Sequence, residues 1–449
     1  MSTSNSTEIE MEPALTKHTN LSQQQVQAKN SIDVQDQISV SSQPPNGSEI
    51  ERSNLLLSRI HFVASCWTMI TAGWNDGTTG PLLPRIQEVY HVNYTIVSLL
   101  FVAACIGFIA GAIVNVPLTE KLGFGKVLVL GSALQAIAYA IDAAAPPFPV
   151  LCAAYGINGV GMALQDAQAN GYVASLKRNP ETKMGILHAT YGAGALISPL
   201  AATQFSQLKH WSFHYLISMS IATFGALLFA CVFRFRTHDQ CLAAIGQVDE
   251  GHQTTEEAAK LSHILRLKTV HLLAFFILVY VGVEAGWIVT FIIKVRGGGA
   301  SSGYISSGFF GGLMLGRVAL LWVNKTVGER RALFMYSLSA IGLELVIWFV
   351  PSLYGDAIAV AFVGLLLGPV YPIVMNHSSR ILPKWLLTGS IGWIAGFGQA
   401  GSAVLPFITG VLAQNTSVKS LQPFLVAMMG LQTALWAMVP SGPRSLRAD

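Results

Sequence analysis

Trp74-Asn75-Asp76-Gly77-Thr78-Thr79-Gly80-Pro81-Leu82-Leu83-Pro84-Arg85-Ile86-Gln87 closes the first long apolar segment of the chain, His61 to Leu83. It puts a carboxylate where hydropathy puts a lipid bilayer. An aspartate at that depth costs about 2.5–3.5 kcal/mol on insertion scales, so it normally faces a protein interior or a watery cavity and has a task there. The run after it, rich in glycine and ending in proline, weakens a helix by lacking side chains and one amide hydrogen. A helix broken at this point would offer freed carbonyls beside a carboxylate, the means by which a discontinuous transporter helix holds a cation or a hydroxyl-rich solute. The structural alternative is that Asp76 caps the segment that follows. A neutral Ser or Thr would do that at lower cost, which favours the functional reading.

Outward from this stretch the composition agrees. Of 449 residues, 52% are hydrophobic and 11% charged, with mean hydropathy +0.51. Soluble chains carry roughly 25% charged residues, so this is an integral membrane protein. The net charge of +4 is spread over loops and leaves no nucleic-acid footprint. Five cysteines (Cys66, Cys105, Cys152, Cys231, Cys241) lie in or beside apolar spans without a CxxC motif, and read as small hydrophobes with neither disulfides nor zinc expected. Walker motif, nucleophile elbow and metal cluster are all missing from the sequence, so no enzymic chemistry and no cofactor is expected.

A spanning helix needs about 20 mostly apolar residues. By that rule twelve are predicted, near 60–83, 94–117, 126–145, 148–174, 185–206 and 213–236, then 269–294, 301–323, 332–351, 355–377, 387–413 and 421–440. The fold class is therefore all-α, with a disordered cytosolic tail (1–55), two six-helix halves (56–236 and 269–440), a polar central loop (237–268) and a short tail (441–449). The tail lacks the order of a signal peptide, and the first span is expected to serve as the insertion signal. Lys and Arg gather in alternate breaks, as in Lys121 and Lys126, Lys177 and Arg178, Lys325 and Arg330, and Arg380 and Lys384. The positive-inside rule then puts both termini in the cytosol, with the plasma membrane the expected location. Two sequons, at Asn93 and Asn415, fall in breaks that this topology places outside, and glycosylation is expected there.

The halves echo each other. Lys121-Leu122-Gly123 corresponds to Thr326-Val327-Gly328 at a spacing of 205, Gly194 and Pro199 to Gly401 and Pro406 at 207, and Asp76 to Glu284 at 208. A six-helix unit repeated in parallel, with a solute site between halves near the midplane, is the plan of the major facilitator superfamily.

The ionisable residues deep in the spans are few. Asp166 lies in the fourth, where Asn158, Gln165 and Ala169 share a broad face with it and Asn170 follows; such a face lines a cavity or bonds a neighbouring helix. Glu284 holds the pseudo-symmetric place in the seventh and is a candidate third protonatable group. His188, Tyr191 and Gln204, with Tyr371, Asn376, His377, Trp393 and Gln399, are candidates for the same cavity. Trp74, Trp287 and Trp393 offer faces for a sugar or an aromatic metabolite. Asp142, near a helix end, is expected to reach water; Glu344 is expected to pair with a neighbour or snorkel, and Arg317 to snorkel to the cytosolic surface.

The order Asn75-Asp76 followed by Leu82-Leu83-Pro84-Arg85-Ile86-Gln87 resembles the first helix of the fucose-permease branch of the major facilitator superfamily, the fucose/galactose/glucose–proton symporters. In that branch a glycine-rich fourth helix carries a carboxylate four residues before an asparagine, which Asp166 and Asn170 match with Asp in place of Glu. Within the branch, the chain most resembles fungal members of unassigned substrate with Gly-Trp-Asn-Asp-Gly in helix 1. The resemblance implies that Asp76 and Asp166 are the protonatable carboxylates. It departs at Glu120-Lys121-Leu122-Gly123-Phe124-Gly125-Lys126, a weak copy of the family's cytosolic Asp-Arg-x-Gly-Arg loop, and at Gly73-Trp74, where relatives place further asparagine. The expected function is a monomeric carrier of a small, sugar-like organic solute, coupled to protons. The alternatives are proton-antiport efflux of a drug or metabolite and, on another plan, a nutrient sensor that binds without transporting.

Overall fold

The computed structural model describes residues 47–247, 263–264, 266–283, 287–382 and 384–441. Residues Leu57–Asp449 cluster as one compact unit, separate from Met1–Leu56. Every long element is helical. In chain order they are α1 (Gly47–Tyr90), α2 (Tyr94–Leu122), α3 (Phe124–Ala143), α4 (Phe148–Ala174), α5 (Pro180–Ser206) and α6 (Trp211–Phe233). There follow α7 (Lys268–Val283 with Ile288–Arg296), α8 (Ala300–Ala319 with Leu321–Val327), α9 (Glu329–Phe349), α10 (Leu353–Ile381), α11 (Lys384–Asn415) and α12 (Val418–Met438).

Among the described residues, nine helices are long and apolar enough to cross a membrane, and counting the two-part α7 and α8 brings this to eleven. The remaining expected span is α5. It is 27 residues long but less apolar, because His188, Thr190, Tyr191, Ser198 and Thr203 punctuate it. Two boundaries differ from expectation. Helix α1 starts at Gly47 rather than near 60, its first turns carrying Leu55, Leu56 and Leu57 among charged residues. The central loop opens with a short helix, His238–Ala244, begun by a capping box in which Thr237 and Gln240 satisfy each other's backbone amides. Its Cys241 and Leu242 are buried with Phe124, Tyr172 and Phe233.

Helix α1 is also continuous through Gly77–Pro81, with Pro81 and Pro84 inside it, so the expected break is absent. Neighbouring helices supply the reason. Thr78 Oγ1 bonds back to the Trp74 carbonyl at 2.8 Å and meets Ser198 Oγ at 2.6 Å and His214 Nε2 at 3.0 Å. Pro81 still leaves the Gly77 carbonyl without its usual helical donor.

Bare glycine backbones set the helix crossings. In α2, Gly107 and Gly111 press on the carbonyls of Gly156 and Val160 in α4; 205 residues on, Gly312 and Gly316 of α8 press on Ala361 and Leu365 of α10. Gly194 of α5 packs on the Ile70 carbonyl of α1, and Gly401 of α11 on that of Leu278 in α7. These pairs keep the spacings of 207 and 208 read from the sequence. Small residues that let backbones meet are the usual basis of close packing between membrane helices.

The same repeat organises the seam between the two sets of six. At the end carrying Asn93 and Asn415, Gly303 of α8 abuts Thr203 of α5, and Gly410 of α11 abuts Ser98 of α2. Gln207 Nε2 donates to the Ala300 carbonyl at 3.4 Å, and the Tyr94 amide donates to Gln414 Oε1 at 3.2 Å. On the same faces nearer the other end, Gly185 of α5 and Gly392 and Gly396 of α11 meet no atom of the described residues within 4 Å of where a Cβ would stand. The seam is shut at the sequon end; at the other these glycine faces are uncovered, although Arg317 of α8 still reaches the His188 carbonyl of α5. Gly303→Leu is expected to wedge Thr203 aside and open it. Ser98, fully buried here, reports the change: as Ser98→Cys in protein stripped of its native cysteines, it should react several-fold faster with a membrane-impermeant maleimide. Unchanged reactivity would count against this seal.

Candidate functional site

The site begins at Asp76, which continuous α1 holds in mid-span. Its carboxylate accepts the Tyr191 hydroxyl of α5 on Oδ2 at 2.8 Å and the Asn75 amide on Oδ1 at 3.1 Å. Asn75 Oδ1 in turn accepts from Asn158 Nδ2 of α4 at 2.5 Å and from the Tyr139 hydroxyl of α3 at 3.2 Å. The Asp76 side chain is exposed, with Tyr191, Asn75 and Asp166 around it. Among the described residues its oxygens take no backbone amide, so it does not act as a cap.

Asp166 of α4 lies within electrostatic range of Asp76, and Asn170 Nδ2 donates to its Oδ1 at 3.0 Å. Across the seam, Arg317 of α8 donates from Nη1 to the His188 carbonyl of α5 at 2.7 Å. Its guanidinium lies 5.9 Å from the centre of the Tyr191 ring. The rings of His188 and Tyr371, the latter from α10, are 5.7 Å apart, and Tyr371 is within electrostatic range of both Asp166 and Arg317. Five helices from both sides of the seam thus converge on two carboxyls, one guanidinium, two phenols and an imidazole.

Other candidate residues fall elsewhere. Gln165, next to Asp166, turns into the protein: Gln135 donates to its Oε1 at 2.9 Å, and its own amide donates to Ser132. The polar face of α4 therefore divides, one side bonding α3 and the other holding Asp166 and Asn170. Asn376 Nδ2 donates to Glu329 Oε1 at 3.2 Å, beside the Arg380–Glu329 ion pair at 3.0 Å, and has no hydrogen bond to the Asp76 set. His377 bonds the Pro440 carbonyl. Gln204 donates to the Tyr304 hydroxyl in the seam. Gln399 is half-buried on the α11 face that also bears Gly392, Gly396 and Gly410. Glu284 lies outside the described residues. Asn93 caps α2 by accepting from the Ile96 amide at 2.8 Å, and Asn415 Nδ2 donates to the Val411 carbonyl; both are exposed.

Two tryptophans are committed to packing. Trp74 donates to Ser218 and stacks on His214, and Trp287 donates to the Pro406 carbonyl. Trp393 keeps a buried indole N–H without a partner.

Three expectations about buried charge are corrected. Asp142 does not reach water: it is 1% exposed and its Oδ1 has no partner. The loop after α3 folds over it, held by the Tyr90 hydroxyl on the Pro146 carbonyl at 2.6 Å and by Ser212 on that of Ala143. Glu344 is likewise buried, with Oε2 unpartnered, while Asp356, within electrostatic range of it, holds Arg296 at 2.7 Å. Arg317 does not snorkel but turns inward to α5. Asn158, expected on the polar face of α4, fixes Asn75 together with Tyr139 of α3; Tyr139 was not among the candidates, because the sequence places it on a helix face but only the packing shows what it meets.

The Tyr191–Asp76 bond carries its own prediction. A hydrogen bond to a charged group contributes about 1.5–3 kcal/mol, so Tyr191→Phe should lower whatever activity the Asp76 site supports roughly tenfold with little effect on the amount of folded protein. Wild-type activity in that variant would show the bond to be idle.

Comparison with known proteins places this geometry in context. The model of the Major Facilitator Superfamily matches residues 66–406. Bypass of stop codon protein 6 of Saccharomyces cerevisiae is 25% identical over 412 residues, covering 86% of this chain and 83% of that protein. The glucose/mannose transporter GlcP of Bacillus subtilis is 22% identical over 390 residues, covering 84% and 94%. Among solved structures, a D-xylose–proton symporter superposes with a TM-score of 0.67 at 12% identity, covering 84% of this chain and 97% of that one. The transporter FucP, in its outward conformation, superposes with a TM-score of 0.60 at 16% identity, covering 85% and 98%. At those identities the two structures speak for the fold alone.

Proposed function

Because the chain belongs to the Major Facilitator Superfamily, we propose that this membrane transporter is a proton-coupled carrier of a small, sugar-like organic solute, working by alternating access. The observation that carries the reading is Asp76: an exposed carboxyl group in mid-span, bonded by Tyr191 and Asn75, with Asp166 close by. A carboxyl group in that place can take up and release a proton as the surroundings change. Protonation would bias which facing state is stable. The solute class draws support from the names of GlcP and of the xylose symporter.

In this reading residues 56–236 and 269–440 are the two halves, joined by 237–268, and the repeated crossings support the division. Both termini are cytosolic and the membrane is the plasma membrane. The sequon end is then outside, where Asn93 and Asn415 would carry glycans, and the uncovered end of the seam faces the cytosol. The site set is Asp76, Asn75, Asp166, Asn170 and Tyr191, with Gln399 on the facing half.

The test is reconstitution into liposomes loaded with a pH-sensitive dye. Adding a substrate sugar should drive protons inward with it, and an imposed acid-outside gradient should drive its accumulation. Proton movement opposite to the solute would replace symport by antiport efflux; saturable binding with no flux would replace transport by sensing.

A further inference from the structure

Arg317 stands in the site without an acid. Among the described residues no carboxylate lies within 4.0 Å of it; Nη1 bonds a backbone carbonyl, and Nε is buried with no partner. The two carboxyls of the site are supplied with neutral donors instead, Asp76 by Tyr191 and Asn75, Asp166 by Asn170. The contrast within this chain is Arg296, which is tied to Asp356 at 2.7 Å. A guanidinium stays charged at any physiological pH, and a cation inside a membrane span is normally paired. Arg317 also forgoes the route out of the bilayer that a long side chain has, turning to α5 and the Tyr191 ring.

We propose that the solute supplies the missing anion: a polyhydroxylated monocarboxylate, of the sugar-acid class, whose carboxylate docks on the guanidinium N–H groups of Arg317 left free by the His188 carbonyl, while its hydroxyls reach Asp76, Asn75 and Asn170. This rests on the carrier reading above and names the substrate class of the same site. Planar guanidinium against planar carboxylate allows two parallel hydrogen bonds, a geometry that rewards an acid over its neutral counterpart.

The charge count explains the coupling. With Asp76 and Asp166 both ionised, the three groups sum to −1 and repel an anion. With both protonated they sum to +1 and attract one. Protons and anion therefore favour each other's binding, and the effect is reciprocal. Among the described residues, the other titratable groups facing Arg317 are Tyr191 and His188 of α5 and Tyr371 of α10. The same guanidinium repels a cationic drug.

The experiment uses full-length purified protein at mildly acidic pH. Thermal stabilisation and proteoliposome flux are measured with D-gluconate and D-galacturonate, each against its neutral counterpart, D-glucitol and D-galactose. The acids should saturate at concentrations at least tenfold below the neutral compounds. Arg317→Gln should erase that preference, while Arg317→Lys, which keeps the charge but loses the fork, should retain part of it. If Arg317→Gln does not fold, the wild-type comparison and Arg317→Lys decide. Equal response to acid and neutral compound, a preference that survives Arg317→Gln, or no response to the acids each overturns the proposal. A neutral sugar that drives Asp76-dependent proton uptake would sink the sugar-acid class and leave the carrier reading standing. No proton movement with any of the four would remove both.

Discussion

With the proposed proton coupling, Asp76→Asn is expected to abolish proton-driven accumulation and to leave solute exchange in place, the largest effect of a single substitution in the site. Asparagine has the shape of aspartate and can still accept the Tyr191 hydroxyl on its carbonyl oxygen, now 2.8 Å from Asp76 Oδ2, so the neighbouring helices have no cause to move. What is lost is the ability to bind and release a proton. In proteoliposomes the accumulation ratio under an acid-outside gradient should fall to about one, while counterflow of labelled against unlabelled solute stays within a few-fold of wild type. Accumulation above equilibrium in the variant would show that another group couples transport, and Asp166 would be the next to test. Loss of both accumulation and counterflow in a folded variant would instead assign Asp76 to solute binding.

The second large effect is on assembly. At the crossing of α1 and α5 two backbones meet without side chains between them. A Cβ on Gly194 would overlap the Ile70 carbonyl and stand 2.8 Å from the Trp74 amide nitrogen, and one on Gly73 would overlap the Tyr191 carbonyl and stand 2.8 Å from the Ala195 amide nitrogen. Valine at 194 must therefore push the helices apart. Forced overpacking costs about 1–3 kcal/mol, and here the movement also draws Tyr191 from Asp76. Gly194→Val should lower the unfolding temperature of the purified protein and abolish accumulation. Gly185→Ala, on the same helix but facing open space, should do neither. Equal behaviour of the two variants would mean that the crossing is looser than described.

How much of this was legible beforehand depended on whether the signal lay along one helix or between two. The spans, the rarity of Asp76 and the spacing of the halves are one-dimensional patterns, and hydropathy reads them. The drift from 205 to 208 looked like weak symmetry, but each value belongs to a particular pair of crossings, as the carbonyls of Gly156 and Ala361 under Gly107 and Gly312 show. Nothing in a chain of 42 glycines marks which of them sit at a crossing. Gln165 and Asp166 are neighbours 100° apart on α4, and no periodicity tells which of two adjacent polar faces meets a partner helix and which meets water. The depth of Arg317 was readable, its direction was not, since that depends on α5 being beside it. Asp142 was misjudged because a helix end looks open until the next loop is known to close over it. The Gly77–Pro81 run was misjudged because the partners that rescue it, Ser198 and His214, lie more than a hundred residues away.

The shut end of the seam has one more implication. Its described contacts include glycine against hydroxyl, glutamine against backbone and against the Tyr304 hydroxyl, and the edge of Tyr94 against Trp287; no ion pair crosses it among the described residues. Attraction between opposite charges fades as electrolyte rises, whereas contact between uncharged surfaces hardly changes. A cell passing from dilute water to brine would keep this door latched equally well in both, and only what binds inside would decide when it opens.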